Sequence, residues 1–165
     1  MRIAGLVQES IVDGPGFRFV VFAQGCHRRC EGCHNPDSFD LDGGVEVSVE
    51  YLITAMLANP LTDGLTLSGG EPFLQAADCA VIARAAKENG LNVWTYTGYT
   101  FEELLREGKI ANEFNELLEL SDVLIDGAFD ISQRSLMLKY RGSKNQRIID
   151  VGNSLVNNVV VELYS

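Results

Sequence analysis

Strand-like and helix-like runs alternate along this chain, and that alternation sets the narrowest limit on how it folds. The strand-like runs are FRFVVFAQ (17–24), GLTLSG (64–69), LNVWTYT (91–97) and DVLIDG (122–127). The helix-like runs are SVEYLITAMLA (48–58), QAADCAVIARAAKEN (75–89), TFEELLRE (100–107) and NEFNELLEL (112–120). Ser48 suits a helix start and Gly90 a helix stop. Strands separated by helices of this length predict right-handed βαβ units and a mostly parallel sheet. A closed eight-fold barrel needs on the order of 250 residues, about 31 per βα unit. The 165 residues here supply roughly five such units. The expected fold is therefore α/β: a partial, open βα barrel of roughly five to six parallel strands. The tail from Ser132 differs, with NQRIIDV and NNVVVELY reading as two further short strands. No repeat, low-complexity tract or linker divides the chain, so one domain over residues 1–165 is expected.

Composition narrows the class. Hydrophobic residues make up 46% and charged residues 22%, ordinary values for a globular domain. The longest apolar run, Phe19 to Ala23, is far too short to span a bilayer. No basic-plus-apolar leader precedes Asp13 and Gly14, so a cytoplasmic location without membrane association is expected. A net charge of −10 disfavours nucleic acid as a partner, because binding phosphates needs a basic surface. The charge is uneven: five basic and no acidic residues lie between Arg134 and Arg147, against nine acids and two bases between Phe101 and Asp130. Two readings stand for the basic stretch. Arg141 and Arg147 dock a partner protein, or they pair with the chain's own acids and hold the C-terminal strands.

In parallel α/β folds the site lies at the C-terminal ends of the strands. Four loops meet that condition: QGCHRRCEGC after the first strand, SGGEP after the second, TGY after the third and DG after the fourth. The first holds Cys26, Cys30 and Cys33 in C-x3-C-x2-C spacing, with no fourth cysteine nearby. Zinc would need His27 or His34 to complete a four-ligand set. A nucleophilic cysteine would need only one thiol and a base. An iron–sulfur cluster on three thiolates keeps one iron open for another ligand. The spacing matches neither paired zinc cysteines nor ferredoxin runs; iron–sulfur is favoured and zinc stays open. Cys79, alone in an alanine-rich helix, reads as a small buried hydrophobe.

The cysteine motif after one strand and SGGEP after the next resemble the radical S-adenosylmethionine superfamily. The resemblance implies that Cys26, Cys30 and Cys33 hold a [4Fe–4S] cluster whose free iron is chelated by the amino and carboxylate groups of S-adenosylmethionine. One electron then cleaves the sulfonium into methionine and a 5′-deoxyadenosyl radical. It also implies that Ser68, Gly69, Gly70 and Glu71 receive the methionyl amino group, where the residues alone would read as a strand-to-helix turn opened by Pro72. Thr95 and Thr97 are candidates for cofactor contact. So is Asp126, since related activases use an acid on the matching strand near the cofactor carboxylate, sometimes through a cation.

SIVDGPGFR (10–18), by itself a tight turn, joins the cysteine motif in resembling the activases of glycyl-radical enzymes. In these, the loop at Asp13, Gly14, Pro15 and Gly16 lies beside the partner, and a hydrogen is taken from one partner glycine. A reductant such as flavodoxin or ferredoxin is implied. Pyruvate formate-lyase activases usually carry an aromatic residue where Gly32 stands. CEGCHN (30–35) and RGSKNQR (141–147) resemble instead the activating proteins of anaerobic ribonucleotide reductase. An activase of another glycyl-radical enzyme is the second reading, and a zinc-stabilised interaction module a remote third.

Overall fold

The computed structural model describes residues 1–164. Its strands are β1 (Arg2–Ser10), β2 (Arg18–Ala23), β3 (Val45–Glu46), β4 (Gly64–Gly69), β5 (Asn92–Tyr96), β6 (Val123–Asp126), β7 (Arg147–Asp150) and β8 (Glu162–Tyr164). Its helices are α1 (Val49–Ala58), α2 (Ala76–Glu88), α3 (Phe101–Glu107), α4 (Asn112–Leu120) and α5 (Val151–Asn157). All eight strands form one mixed sheet in the order β3-β1-β2-β4-β5-β6-β7-β8. The α/β expectation holds. The parallel part is smaller than expected, however: only β2, β4, β5 and β6 run parallel, and the strands on both flanks pair antiparallel.

Alternation along the parallel strands gives the sheet two different faces. Phe19, Val21, Leu65, Leu67 and Val93 are fully buried and join Leu52, Ile82, Leu104 and Leu117 of the helices in the main core. The other face carries a smaller cluster of Trp94, Val123, Ile125 and Ile148, with Tyr96 and Tyr140 packed against it. Arg18 lies on this second face and is fully buried. Its guanidinium donates to Thr66 Oγ1 (3.0 Å), Asn92 Oδ1 (2.5 Å) and Leu65 O (2.5 Å), tying β2 to β4 and β5. Among the described residues no carboxylate neutralises it at hydrogen-bond range, and burial pulls its pKa down to about 10.

Local chemistry fixes the helix starts. Ser48 Oγ accepts from Tyr51 N (3.1 Å) at α1, and Gly90, with φ +75°, ends the turn after α2. Thr100 and Glu103 form a reciprocal capping box at α3. Three elements depart from the sequence reading, the first being the two-residue β3, which pairs with the start of β1. β1 was not anticipated, because irregularities between Ile3 and Gly5 and between Val7 and Ser10 break its inward–outward alternation. The tail holds a helix between its strands: Asp150 Oδ1 accepts from Asn153 N (2.9 Å) to start α5, and Asn158 in the left-handed region (φ 51°) ends it. β8 is consequently shorter than NNVVVELY suggests.

Candidate active site

β2 delivers the cysteine loop. Gly25 N donates to Ser38 O (2.8 Å) and Cys26 N to Phe39 O (3.2 Å), pinning the loop against the segment that follows it. Gln24 is buried and donates to Asp37 O (3.0 Å) and Asp40 O (2.7 Å), bracing the same segment. Cys33 N donates to Cys30 O (3.2 Å), and Gly32 takes φ +71° to close this turn. Cys26, Cys30 and Cys33 are half-buried, while Cys79 is fully buried inside α2. Burial pushes the Cys26 thiol up, opposed by the backbone N–H groups of Arg28 and Arg29.

β4 brings SGGE to the same edge. Gly70 N donates to Ala23 O (2.7 Å) and Glu71 N to Gly25 O (2.8 Å). A Cβ on Gly70 would stand 2.4 Å from Gly25 O, and Gly69, at φ +102°, is as tight against Ala23. The glycine pair therefore lets the end of β4 close on the backbone that carries Cys26. Glu71 is buried. Its Oε1 accepts from Phe73 N (3.1 Å) and Thr97 Oγ1 (2.9 Å), and its Oε2 from Gly98 N (2.8 Å). A carboxylate has about four acceptor positions, so one on Oε2 remains for a ligand. Burial raises the Glu71 pKa, countered by those N–H and O–H donors and by Arg28.

These pieces surround one cavity of about 140 Å³, lined by the three cysteines, Ser68 to Glu71, and Thr97. Its far wall is Gly127 to Phe129 with Gln146. Sites that enclose a small molecule hold roughly 300–1,000 Å³. A ligand here therefore stays open on one side. Among the described residues no three His, Cys, Asp or Glu side chains converge as a single-ion site. The thiols instead share the cavity wall, and a cluster uses its thiolates on separate irons. Three thiols, a buried acceptor and glycine-lined walls fit a [4Fe–4S] cluster carrying an ammonium-bearing ligand.

Two expected cofactor residues lie elsewhere. Thr95 is buried with its hydroxyl against Ser121 Oγ (2.8 Å) and does not line the cavity. Asp126 is also buried; it accepts from Phe101 N (2.8 Å) and from Arg147 Nε (3.0 Å) and Nη2 (2.5 Å). It caps the start of α3, and a guanidinium supplies the positive charge beside it. The structure also engages the two arginines expected to dock a partner. Arg147 additionally binds Glu102 (2.8 Å), which lowers the Glu102 pKa, and Arg141 Nη1 donates to Gln146 O (2.6 Å). Of the two readings, pairing with the chain's own acids describes Arg147.

Asp13, Gly14, Pro15 and Gly16 lie off the cavity, on the face that carries Trp94. Thr66 Oγ1 donates to Asp13 O (2.8 Å) while accepting from Arg18, and a Cβ on Gly14 would meet both Arg18 and Trp94. Gly16 (φ +74°) sits against Asp63, whose carboxylate accepts from Phe17 N (2.8 Å). Sequence reading missed Arg28, which lines the cavity with its guanidinium 4.7 Å from the Tyr99 ring. It also missed Phe129 and Gln146. The available signal was RGSKNQR, whose roles depend on contacts that only the fold makes.

Residues 12–149 match the 4Fe-4S single cluster domain family. The chain is 38% identical over 135 residues to the pyruvate formate-lyase-activating enzyme of Clostridium pasteurianum, a match covering 76% of this chain and 55% of that protein. It is 34% identical over 166 residues to the pyruvate formate-lyase 1-activating enzyme of Escherichia coli K12, covering 96% and 64%. It is 35% identical over 146 residues to the anaerobic ribonucleoside-triphosphate reductase-activating protein of Vibrio cholerae, covering 84% and 90%. The chain thus spans only 55% to 64% of these two lyase activases. It belongs to the 4Fe-4S single cluster domain family. Within that family it stands with the activases of glycyl-radical enzymes. No helix among the described residues is long and apolar enough to cross a membrane.

Proposed function

We propose that this chain is a radical S-adenosylmethionine activase that takes a hydrogen from a glycine of anaerobic ribonucleotide reductase. Cys26, Cys30 and Cys33 would hold the [4Fe–4S] cluster. When bound, the cluster supplies the electron that cleaves S-adenosylmethionine. Glu71, held by Thr97 and two backbone N–H groups, offers its remaining acceptor position to the methionyl ammonium. Burial keeps water from competing for that position. The loop at Asp13 to Gly16 would meet the partner on the Trp94 face.

Gly32 carries the choice of partner. Gly32 holds φ +71°, a left-handed conformation that costs any L side chain, and a Cβ there would push the exposed Ile131 side chain aside, so the aromatic residue usual in the lyase activases would strain this turn. CEGCHN and RGSKNQR support the same branch. An activase of pyruvate formate-lyase is the second reading, favoured by the 38% identity to one such enzyme. A one-electron carrier such as flavodoxin or ferredoxin would act as reductant in either case. The reading is tested by anaerobic reconstitution, with iron per chain and cleavage of S-adenosylmethionine to methionine and 5′-deoxyadenosine as readouts. Nearly four irons and reductant-dependent cleavage are expected; one zinc per chain and no cleavage would defeat it.

A further inference from the structure

RGSKNQR lies antiparallel to the segment Asp126 to Asp130, which includes the far wall of the cavity, and meets every residue of it. Arg147 holds Asp126. Gln146 Nε2 donates to Gly127 O (3.1 Å), and Asn145 Nδ2 donates to Ala128 O (2.8 Å). Gly142 leaves room for Phe129, whose ring would lie 3.0 Å from a Cβ at that position. Ser143, fully buried, accepts from Asp130 N (3.2 Å) through its hydroxyl. Only the first of these contacts belongs to the regular β6–β7 pairing, which ends at Asp126 and Arg147. Beyond it the side chains of the motif continue what the backbone ladder has stopped doing.

Gln146 is the centre of this zipper. Its Oε1 accepts from Gly142 N (2.9 Å) and Ser143 N (3.2 Å), so the same amide shapes its own turn and grips Gly127. Gly127 sits at φ +95°, with its N–H donating to Tyr99 O (2.9 Å). Both backbone polar groups of Gly127 are thus fixed where the chain turns to form the cavity wall. The wall also reaches the cysteine loop, because the Phe129 ring lies 5.2 Å from that of His34.

We propose that Gln146 is a positioning residue for S-adenosylmethionine, acting through Gly127 to hold the Gly127–Phe129 wall against the cofactor. This deepens the proposed function and rests on the cavity being the cofactor site. It gives RGSKNQR a task in cofactor binding in place of partner docking. Outer-shell residues that orient metal ligands typically change affinity or activity by roughly 10–100-fold, and an effect at the lower end of that range is expected for a residue that orients a wall. They act on KM with kcat little altered when they serve ground and transition states alike.

The test compares Gln146→Ala and Gln146→Glu with wild type after anaerobic reconstitution. Gln146→Glu keeps both acceptor contacts but cannot donate to Gly127 O. Both variants are expected to keep the wild-type iron content and raise KM for S-adenosylmethionine about tenfold, with kcat for uncoupled cleavage within about twofold. In the apo proteins, hydrogen exchange should quicken at residues 127–130. Asn145→Ala, an exposed change that removes only the Ala128 contact, should raise KM by a smaller factor and serves if Gln146→Ala does not fold. Wild-type KM in Gln146→Glu would overturn the action through Gly127. Lower iron content and melting temperature together with a raised KM in every variant would mean a structural role only. Unchanged exchange beside a saturable wild type defeats this inference alone, whereas a wild type that neither binds nor cleaves the cofactor defeats the proposed function with it.

Discussion

Replacing Asp126 with alanine should cost stability before it costs cofactor affinity. The carboxylate is buried and accepts three hydrogen bonds, one from Phe101 N and two from Arg147. Removing one partner of a buried pair typically costs about 3–5 kcal/mol, because the other charge is left without compensation. Here Arg147 keeps Glu102, and its side chain is 27% exposed, so water can reach it. That favours the lower end, about 3 kcal/mol. For a chain of this size each kcal/mol shifts the melting temperature by roughly 2–4 °C, giving a fall of about 6–12 °C. Glu102→Ala serves as the control. Its side chain is 58% exposed, and pairs of this kind are worth less than about 1 kcal/mol. The Arg147 bond depresses the Glu102 pKa, so its small contribution is present at neutral pH and is lost as pH falls below the usual carboxylate range. Thermal unfolding of the apo proteins under reducing conditions measures all three. An Asp126→Ala protein that melts within about 2 °C of wild type, yet binds S-adenosylmethionine tenfold more weakly, would refute this reasoning and place the carboxylate at the cofactor.

Single changes of Cys26, Cys30 or Cys33 to alanine should abolish the cluster's absorbance and cofactor cleavage, while Cys79→Ala keeps both; iron analysis of the four proteins decides, and equal loss in Cys79→Ala would contradict the ligand assignment. Glu71 has a raised folded-state pKa, so the folded protein binds its proton more tightly and apo stability should decline as pH rises from the ordinary glutamate value through the folded one. Glu71→Gln removes this component, and urea midpoints from pH 5 to 8 with equal slopes in both proteins would rule out burial as the cause. Thr66→Val deletes the hydroxyl that accepts from Arg18 and donates to Asp13 O, at a cost of about 1–3 kcal/mol. Hydrogen exchange should then quicken across residues 12–17, and an unchanged pattern there would show that the relay does not hold the loop.

Much of this molecule is legible without coordinates. The four parallel strands and the first four helices follow from hydrophobic period and from caps such as Ser48 and Thr100, signals that lie within a few residues of their effect. The parallel topology sends the loops that carry Cys26, Cys30, Cys33, Glu71 and Thr97 to one edge, but the roles of the cysteines and Glu71 came from the resemblance of C-x3-C-x2-C and SGGEP to the radical S-adenosylmethionine superfamily. Thr95 shows where that logic stops: two residues before Thr97 its side chain faces the same side of β5, yet deeper, against the helices and Ser121. Asp126 and Arg147 form a pair 21 residues apart in sequence. Composition presents each as an unexplained charge, and only the antiparallel return of β7 joins them. β1 was hidden for a different reason, since its irregular register scatters its apolar residues over both faces.

Glycyl-radical formation tests the proposed activity and its partner most directly. The reconstituted protein, S-adenosylmethionine and a one-electron reductant are mixed without oxygen with the large subunit of an anaerobic ribonucleotide reductase and, separately, with a pyruvate formate-lyase. Electron paramagnetic resonance then reads the carbon-centred radical on each. A radical on the reductase that requires Cys26, Cys30 and Cys33 is expected, with little or none on the lyase. A radical on the lyase alone would contradict the choice of partner; none on either, despite cleavage of S-adenosylmethionine, would contradict the activase reading itself.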